Sequence, residues 1–282
     1  PSRLMISTII DPTSDVVTRD AFMLLRSIRL FGGSLNEATI LVTVALTEGV
    51  SFVDHKGIVP KLIELGVEID FTYQPKAPKP KTLNKFSTLS KFDPIKFSYF
   101  MWLDADVFVF DDPLPFIREH SSPGFIECAP EFYNYLIRYP ELNTTNVVMN
   151  EAMPLLRTIA DQVDVSSGMC NTGVILFDAM SLQRFLARLP TAMEEVDAVA
   201  LRHHDRFLDS LYFVSAVASA SVPVHPLSYS LNYMPFFETY ILEDTLTDKV
   251  VMAHLLHSSD LYCVMEETAQ GQGGGEEGRE GG

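Results

Sequence analysis

The first third of the chain alternates short apolar runs with segments whose apolar residues follow helical spacing. The pattern predicts strands over residues 3–10, 39–46 and 67–72, and helices over 19–31 and 56–65. Strands that alternate with helices in this order are typical of a parallel α/β sheet with right-handed crossover connections.

Farther along the chain, the elements are separated by longer stretches without a clear pattern. Residues 74–81 carry three prolines and three lysines and predict a loop, and residues 112–165 support no firm assignment. The remaining elements are predicted as helices over 83–92, 181–189 and 205–220, and strands over 99–110, 174–177 and 249–256. The tail, residues 271–282, consists almost entirely of Gly and Glu and predicts disorder.

Composition narrows the class of protein. The 282 residues are 47% hydrophobic, which suits a globular protein with one large domain or two small ones. Asp and Glu number 37 against 21 Lys and Arg, a formal charge of −16. Because phosphate contacts dominate nucleic-acid affinity, we expect no nucleic-acid partner. A polyphosphate remains an acceptable ligand if a divalent cation lies between it and the carboxylates.

The three cysteines, Cys128, Cys170 and Cys263, are far apart in the sequence. Their spacing excludes a zinc ribbon and argues against a disulfide framework, but one disulfide with one free thiol remains open. No apolar run approaches the ~18 residues of a membrane span, so we expect none within this chain. The sequence begins at Pro1 without a signal-peptide pattern, and we interpret it as a fragment of a longer protein.

The most informative stretch is FMWLDADVFVF, in which Asp104 and Asp106 interrupt a strongly apolar run. Two carboxylates are costly to bury there unless each has a partner. On an extended chain, alternate residues project to the same side, so both carboxylates could face one ligand. Paired carboxylates suit Mg²⁺ or Mn²⁺ with substrate phosphates completing the shell. The pattern also suits ordinary turn aspartates, and Asp-x-Asp alone does not decide between the two.

The same pattern could also indicate a phosphatase of the haloacid-dehalogenase type. In such enzymes a hydrophobic strand also precedes Asp-x-Asp, and the first Asp attacks phosphorus. That motif normally lies on the first strand, with Thr or Val two residues after the second Asp. Here the motif lies about a hundred residues into the chain and Phe108 occupies that position, which disfavours a phosphatase.

A wider set of motifs resembles the glycogenin-like family of glycosyltransferases. The stretch from Lys81 to Phe116 is similar to that family's lysine-bearing helix, hydrophobic strand, Asp-x-Asp and following turn. Four further segments resemble family motifs in the same order: CNTGVIL at 170–176, Asp209 with the apolar helix after it, PLSYSLNYMP at 226–235, and VVMAHLLH at 250–257.

This resemblance implies a GT-A-type fold, a Rossmann-like α/β architecture with a mixed, mostly parallel central sheet flanked by helices. It implies a single catalytic domain over 1–270, with a nucleotide-binding half over about 1–112 and an acceptor half over about 113–270. The expected donor is a nucleotide-diphosphate sugar, most simply a UDP-sugar. The expected cofactor is Mn²⁺ or Mg²⁺, and the acceptor is a hydroxyl on a glycan, a protein or a small molecule.

The same resemblance assigns metal-binding roles. Asp106 is the expected metal ligand, and Asp104 binds the metal, the nucleotide ribose, or both. His254 is expected as the third protein ligand, because the apolar residues before it leave an imidazole without a partner unless a metal provides one. His257 is the competing candidate three residues later.

Other residues are expected at the donor sugar and the nucleotide. Asn171, with Gly173 after it, offers a donor and an acceptor to sugar hydroxyls. Asp209 acts as a base toward the acceptor or binds the donor sugar, with Asp205 as the alternative one helical turn earlier. Lys85 either neutralises the diphosphate or is a solvated helix lysine.

Thr8 and Asp11 end the first strand, where folds of this type contact the base and the ribose. Two positions depart from the family pattern. Ser210 replaces a frequent glutamine, and His257-Ser258-Ser259-Asp260 replaces the glycine and Lys-Pro that hold the diphosphate. A catalytically inactive glycosyltransferase-like module that binds glycan or acts as a scaffold therefore remains an alternative. The cytoplasm and the Golgi lumen both remain open as compartments.

Overall fold

The computed structural model describes residues 4–48, 52–54, 56–74, 84–120, 123–130, 170–200, 208–233 and 250–255. Its strands are β1 (Leu4–Ile10), β2 (Thr39–Thr47), β3 (Glu68–Gln74), β4 (Tyr99–Leu103), β5 (Val107–Val109), β6 (Ile126–Pro130), β7 (Cys170–Asp178), β8 (Val224–Pro226) and β9 (Met252–His254). Its α-helices are α1 (Asp15–Phe31), α2 (Ile58–Glu64), α3 (Asn84–Leu89), α4 (Leu114–His120), α5 (Ala179–Ala200) and α6 (Leu208–Ala220).

Seven of these strands form one sheet in the order β3-β2-β1-β4-β7-β6-β8. The first four in that order are parallel to one another, β7 is antiparallel to both of its neighbours, and β6 and β8 are parallel. The predicted mixed, mostly parallel sheet is therefore confirmed. The strand order reverses direction between β1 and β4, and open α/β sheets bind ligands at such a switch point, beyond the carboxyl ends of the strands.

Helices cover both faces of this sheet. One face packs against α1 and α2, and the other against α3, α5 and α6. Strand β4 supplies both cores, because alternate residues of a strand point to opposite faces. Phe100 and Trp102 pack in one core, whereas Met101 and Leu103 pack in the other. Because both faces of this strand are buried, its residues are apolar on both sides, which explains the continuous apolar run in the sequence.

The single strand predicted over residues 99–110 is wrong. A turn over 104–106 separates β4 from β5, and it is closed by a 3.1 Å hydrogen bond from the Val107 N–H to the Asp104 carbonyl. The turn moves β5 out of the large sheet and into a two-stranded antiparallel sheet with β9. Both segments are buried, so the apolar pattern alone does not show the break.

Helix α5 is longer than the predicted helix over 181–189. It continues through Pro190 to Ala200, although proline removes a hydrogen bond and disfavours a helix interior. The buried side chains of Ala192 and Val196 show that tertiary packing stabilises the second half. Strand β9 is shorter than the predicted strand over 249–256, and β6 and α4 lie in a stretch that the sequence pattern left unassigned.

A disulfide joins Cys128 of β6 to Cys170 of β7, with the two Cα atoms 5.7 Å apart. The sequence left this pairing open, because it does not show that the two residues occupy neighbouring strands. The predicted disordered tail over 271–282 lies outside the described residues. Within the part of the chain that the structure describes, no helix is both long and apolar enough to cross a membrane.

Candidate active site

Three chain segments meet at the carboxyl end of β4. Because β7 runs antiparallel to β4, the first residues of β7 lie beside the last residues of β4. The Asp104 N–H donates to the Gly173 carbonyl at 2.8 Å, which extends this contact beyond the paired strands. The antiparallel pair of β5 and β9 places His254 opposite Val107, next to the same turn.

This convergence brings Asp104, Asp106 and His254 together. One ligand atom from each residue lies within 4.8 Å of the others. The His254 Nε2 atom is 3.2 Å from the Asp106 Oδ1 atom, and both side chains are almost completely buried. The Asp104 side chain is more open, with 25% of its surface exposed. The three predicted ligands thus form one group, whereas the competing candidate His257 lies outside the described residues.

The two carboxylates do not reach this group in the way the sequence suggested. The expectation was an extended chain that projects alternate residues to one side. Instead, Asp104 leaves the end of β4, and Asp106 lies in the turn that follows. The Asp106 carbonyl accepts a 2.9 Å hydrogen bond from the Leu255 N–H, which anchors the turn to the end of β9. The turn and its contact with β9, rather than strand alternation, therefore position these side chains.

Asn171 determines the tautomer of His254. The Asn171 Oδ1 atom accepts from the Gly173 N–H at 2.9 Å, which identifies it as the oxygen, and it also accepts from Asn232 Nδ2 at 2.9 Å. The same oxygen is 3.2 Å from His254 Nδ1, so Nδ1 carries the proton. In the neutral imidazole the lone pair of Nε2 then faces the Asp106 carboxylate.

The donor set fits a divalent cation. A lone pair on Nε2 and a carboxylate oxygen 3.2 Å away repel each other unless a proton or a cation lies between them. An oriented imidazole with two carboxylates is a suitable ligand set for Mn²⁺, with oxygen ligands from a substrate completing the shell. Asp104, Asp106 and His254 are accordingly the residues that would hold the metal.

A buried ion-pair network adjoins this group. The Lys85 Nζ atom lies 2.6 Å from Asp209 Oδ2, 3.3 Å from Asp104 Oδ1 and 3.0 Å from Thr172 Oγ1. The Thr172 hydroxyl in turn donates to Asp209 Oδ2 at 3.0 Å. The Lys85 side chain is only 6% exposed, so it is not the solvated helix lysine that one reading of the sequence allowed. Its three N–H donors all have partners in this arrangement.

Within this network, Lys85 and Asp209 hold each other ionised. Burial by itself lowers the pKa of Lys85, but the attraction of Asp104 and Asp209 outweighs it and raises that pKa above its ordinary value. Burial by itself raises the pKa of Asp209. The attraction of Lys85, with hydrogen bonds from Lys85, Thr172 and the Ser210 N–H, outweighs burial and holds the pKa of Asp209 below its usual 3.8. Asp209 is therefore a weak base and a strong hydrogen-bond acceptor.

The two nucleotide-site candidates lie at the carboxyl end of β1, beside β4. Thr8 is buried, and its hydroxyl has no hydrogen-bond partner among the residues that the structure describes. Asp11 follows the strand, and its carboxylate accepts from the N–H and the hydroxyl of Thr13. Asp205, the alternative to Asp209, lies outside the described residues.

Three residues that position the site's side chains were not predicted from the sequence. Asn232 orients Asn171, Thr172 joins Lys85 to Asp209, and the Trp102 indole N–H donates to Asp104 Oδ1 at 2.6 Å. The contact between Trp102 and Asp104 could have been predicted from the sequence. A buried indole usually finds an acceptor for its N–H, and Asp104 is two residues away.

No protein-family model and no curated protein matches the sequence. Several solved glycosyltransferases share the fold. Mouse xyloside xylosyltransferase 1, in its apo form, aligns with 90% of this chain and 98% of its own, at a TM-score of 0.53 and 13% identity. The galactosyltransferase LgtC, in complex with donor and acceptor sugar analogues, aligns with 89% of this chain and 86% of its own. The TM-score is 0.55 and the sequence identity is 15%.

The bifunctional glycosyltransferase WbbM, also in its apo form, aligns with 90% of this chain and 45% of its own, at a TM-score of 0.57 and 13% identity. At such low sequence identities the structural similarity establishes the fold only. The chemistry has to be inferred from the residues of the site. The predicted GT-A fold is confirmed.

Proposed function

We propose that this protein is a metal-dependent glycosyltransferase that moves a sugar from a nucleotide-diphosphate donor to a hydroxyl acceptor. The observation that carries the proposal is the group of Asp104, Asp106 and His254 at the carboxyl end of β4, beside the switch point of the sheet. The fold supports it, because the similar structures are those of glycosyltransferases.

We propose that Asp106 and His254 hold the metal and that Asp104 completes the protein's contribution. A bound divalent ion supplies Lewis-acid stabilisation of the charge that develops on the leaving diphosphate. The imidazole favours Mn²⁺ over Mg²⁺, because Mg²⁺ prefers an all-oxygen shell. In an acidic protein, such a site also explains how a polyphosphate donor is accepted.

Lys85 acts on the diphosphate through its charge. Its N–H groups are engaged by Asp104, Asp209 and Thr172, so the ammonium contributes a positive field rather than a direct hydrogen bond in this arrangement. We place the nucleoside at the end of β1, where the buried Thr8 hydroxyl lacks a partner among the described residues and Asp11 lies nearby. A UDP-sugar is the donor we propose.

Asp209 is better suited to binding the sugar than to removing a proton. Because its pKa is held below 3.8, it is ionised at neutral pH and accepts hydrogen bonds but takes up a proton poorly. We therefore assign Asp209 to a hydroxyl of the donor sugar. The Asn171 oxygen already orients His254, so a hydrogen bond from Asn171 to a sugar hydroxyl comes from its Nδ2 group.

A second candidate is a glycosyltransferase-like module that binds glycan or nucleotide sugar without transferring it. The observation in its favour is the sequence His257-Ser258-Ser259-Asp260, which offers no lysine where the glycogenin-like family, which the sequence resembles, is expected to hold the diphosphate. This module would retain the metal group but stabilise the leaving diphosphate less. Binding without turnover distinguishes the two candidates.

A thermal-shift screen of nucleotide sugars, with and without Mn²⁺, tests the proposal. Ligand at about 100 times its dissociation constant stabilises a fold by about 2.7 kcal/mol, which gives a clear rise in melting temperature. We expect UDP-sugars to raise the melting temperature only when Mn²⁺ is present. Equal shifts in excess chelator would reject a metal-bridged donor. Slow Mn²⁺-dependent hydrolysis of the donor that binds then separates an enzyme from an inactive module.

The disulfide bears on the compartment. Disulfides persist in oxidising compartments and are rare in the cytosol. Of the cytoplasm and the Golgi lumen, we therefore propose the lumen, on the strength of the Cys128–Cys170 bond. We also retain the proposed single catalytic domain over residues 1–270, in which strands from both predicted halves join one sheet.

A further inference from the structure

Trp102 is the only tryptophan in the sequence, and it lies two residues before Asp104. Its side chain is buried in the core between the sheet and the helices α3, α5 and α6. Its indole N–H lies at the edge of that core and donates to Asp104 Oδ1 at 2.6 Å. Such a short hydrogen bond is typical of a charged acceptor. The indole therefore connects the packed core directly to the carboxylate.

The two hydrogen bonds that reach the Asp104 carboxylate within the described residues both go to Oδ1. One comes from Trp102, and the other comes from Lys85 at a longer 3.3 Å. Because the indole is fixed by packing, it holds Oδ1 in one place and thereby fixes the direction of Oδ2. This leaves the second oxygen for a cation, and one carboxylate oxygen of Asp104 lies within 4.8 Å of ligand atoms of Asp106 and His254.

The indole and Lys85 share the Oδ1 atom of Asp104 as their acceptor. The Lys85 Nζ atom lies 5.9 Å from the centre of the Trp102 ring, a cation–π distance, and pairs more closely with Asp209 at 2.6 Å. Without the indole N–H, the Asp104 carboxylate is free to rotate toward the ammonium and form a tighter ion pair. A metal then has to compete with Lys85 for the same carboxylate.

We infer that Trp102 is a positioning residue that sets which oxygen of Asp104 faces the metal and keeps that oxygen from pairing with Lys85. This inference rests on the proposed function, because it needs a cation at the carboxylate and imidazole group. It adds a residue that acts through its hydrogen bond to Asp104. Its effect falls on metal affinity, since partners of metal ligands typically change that affinity 10- to 100-fold when removed.

The test compares Trp102→Phe with a matched control, Phe100→Leu. Phe keeps an aromatic ring at position 102 but removes the N–H. Phe100 is buried in the same core and on the same face of β4, and its truncation removes packing without touching Asp104. Titration calorimetry with Mn²⁺, alone and with UDP, measures the dissociation constant. We expect Trp102→Phe to raise it about tenfold or more, and Phe100→Leu to leave it unchanged while lowering the melting temperature.

The fluorescence of Trp102 supplies a readout that a purely structural role would not change and that needs no variant at this position. Mg²⁺ serves here, since paramagnetic Mn²⁺ quenches emission at a distance. We expect Mg²⁺ to shift the emission maximum of the wild-type protein, with a midpoint equal to the dissociation constant that calorimetry with Mg²⁺ gives. Calorimetric binding of Mg²⁺ without any change in emission would overturn the inference, even if Trp102→Phe fails to fold.

The results distinguish failure of this inference from failure of the proposed function. A wild-type protein that binds no Mn²⁺, with or without UDP, overturns the proposed function together with this inference. A wild-type protein that binds Mn²⁺, beside a Trp102→Phe variant of equal affinity, overturns the inference alone. Equal loss of affinity in Phe100→Leu also overturns it, because core packing would then account for the effect.

Discussion

The imidazole of His254 lies directly against the backbone of Gly173. A Cβ atom built on Gly173 would be 2.4 Å from both Cε1 and Nδ1 of His254, far inside van der Waals contact. It would also be 2.9 Å from Asn171 Oδ1, the atom that orients the ring. The glycine is thus required by the side chain that it accommodates.

Substituting Gly173 with alanine should displace the imidazole. Because the ring is enclosed, we expect Gly173→Ala to weaken Mn²⁺ binding at least about tenfold and to destabilise the fold by about 1–3 kcal/mol, as overpacking does. Calorimetry and urea denaturation measure the two effects. Gly57→Ala is the control, since Gly57 has a positive φ of 61° but open space around it, so it should lose stability without losing metal affinity. Unchanged affinity in Gly173→Ala would show that His254 is not a ligand.

His254 and His257 can be distinguished by parallel substitution. His254 is buried beside Asp106, with its Nδ1 proton held by Asn171, so its Nε2 atom is oriented for a metal. We expect His254→Ala to weaken Mn²⁺-dependent donor binding at least about tenfold, equivalent to about 1.4 kcal/mol. His257→Ala should have a smaller effect. If only His257→Ala abolishes the metal dependence, the ligand lies three residues later than we propose.

Asp209 should make stability depend on pH in the acid range. Its pKa is below 3.8 in the folded protein, so its contribution is fully present above that value and disappears as pH falls through the lower folded pKa. Asp209→Asn leaves the buried Lys85 with one carboxylate fewer and should cost about 3 kcal/mol at neutral pH. We expect this difference from wild type to be constant between about pH 7 and 5 and to shrink below about pH 4.

Urea denaturation of both proteins across this pH range measures the difference. Glu64→Gln, a substitution at an exposed position on α2, should show almost no difference from wild type at any pH. A difference between Asp209→Asn and wild type that stays constant down to pH 3 would contradict the ion pair with Lys85.

The disulfide should contribute to the stability of the oxidised protein. Cys128 and Cys170 are 42 residues apart, and closing a loop of that size stabilises by about 4 kcal/mol in the chain-entropy estimate. We expect a reductant to lower the free energy of unfolding of the wild-type protein, but not of a Cys128→Ala/Cys170→Ala variant. Cys263→Ser should retain the sensitivity to reductant. Titration of three free thiols in the untreated, denatured protein would contradict the bond.

Much of the fold could be predicted from local patterns. The strands β1, β2 and β3 and the helices between them follow directly from runs of apolar residues and from helical spacing, because those patterns depend on neighbours in the sequence. The break between β4 and β5 could not be predicted in this way. Both sides of the turn over 104–106 are buried, and two aspartates within a long apolar run suit a continuous strand as well as a turn.

The sequence by itself determined the chemical type of the site: an acidic chain with paired carboxylates after a buried strand, and a histidine within a late apolar segment. The tertiary structure alone decided how these groups act. It set Asn171 against His254, 83 residues away, enclosed Lys85 between Asp104 and Asp209, and directed the Trp102 indole at a carboxylate. The physical reason is that hydrogen bonds and ion pairs depend on distances of a few ångströms. Between residues far apart in the chain, strand order and register set those distances, which local residue preferences do not encode.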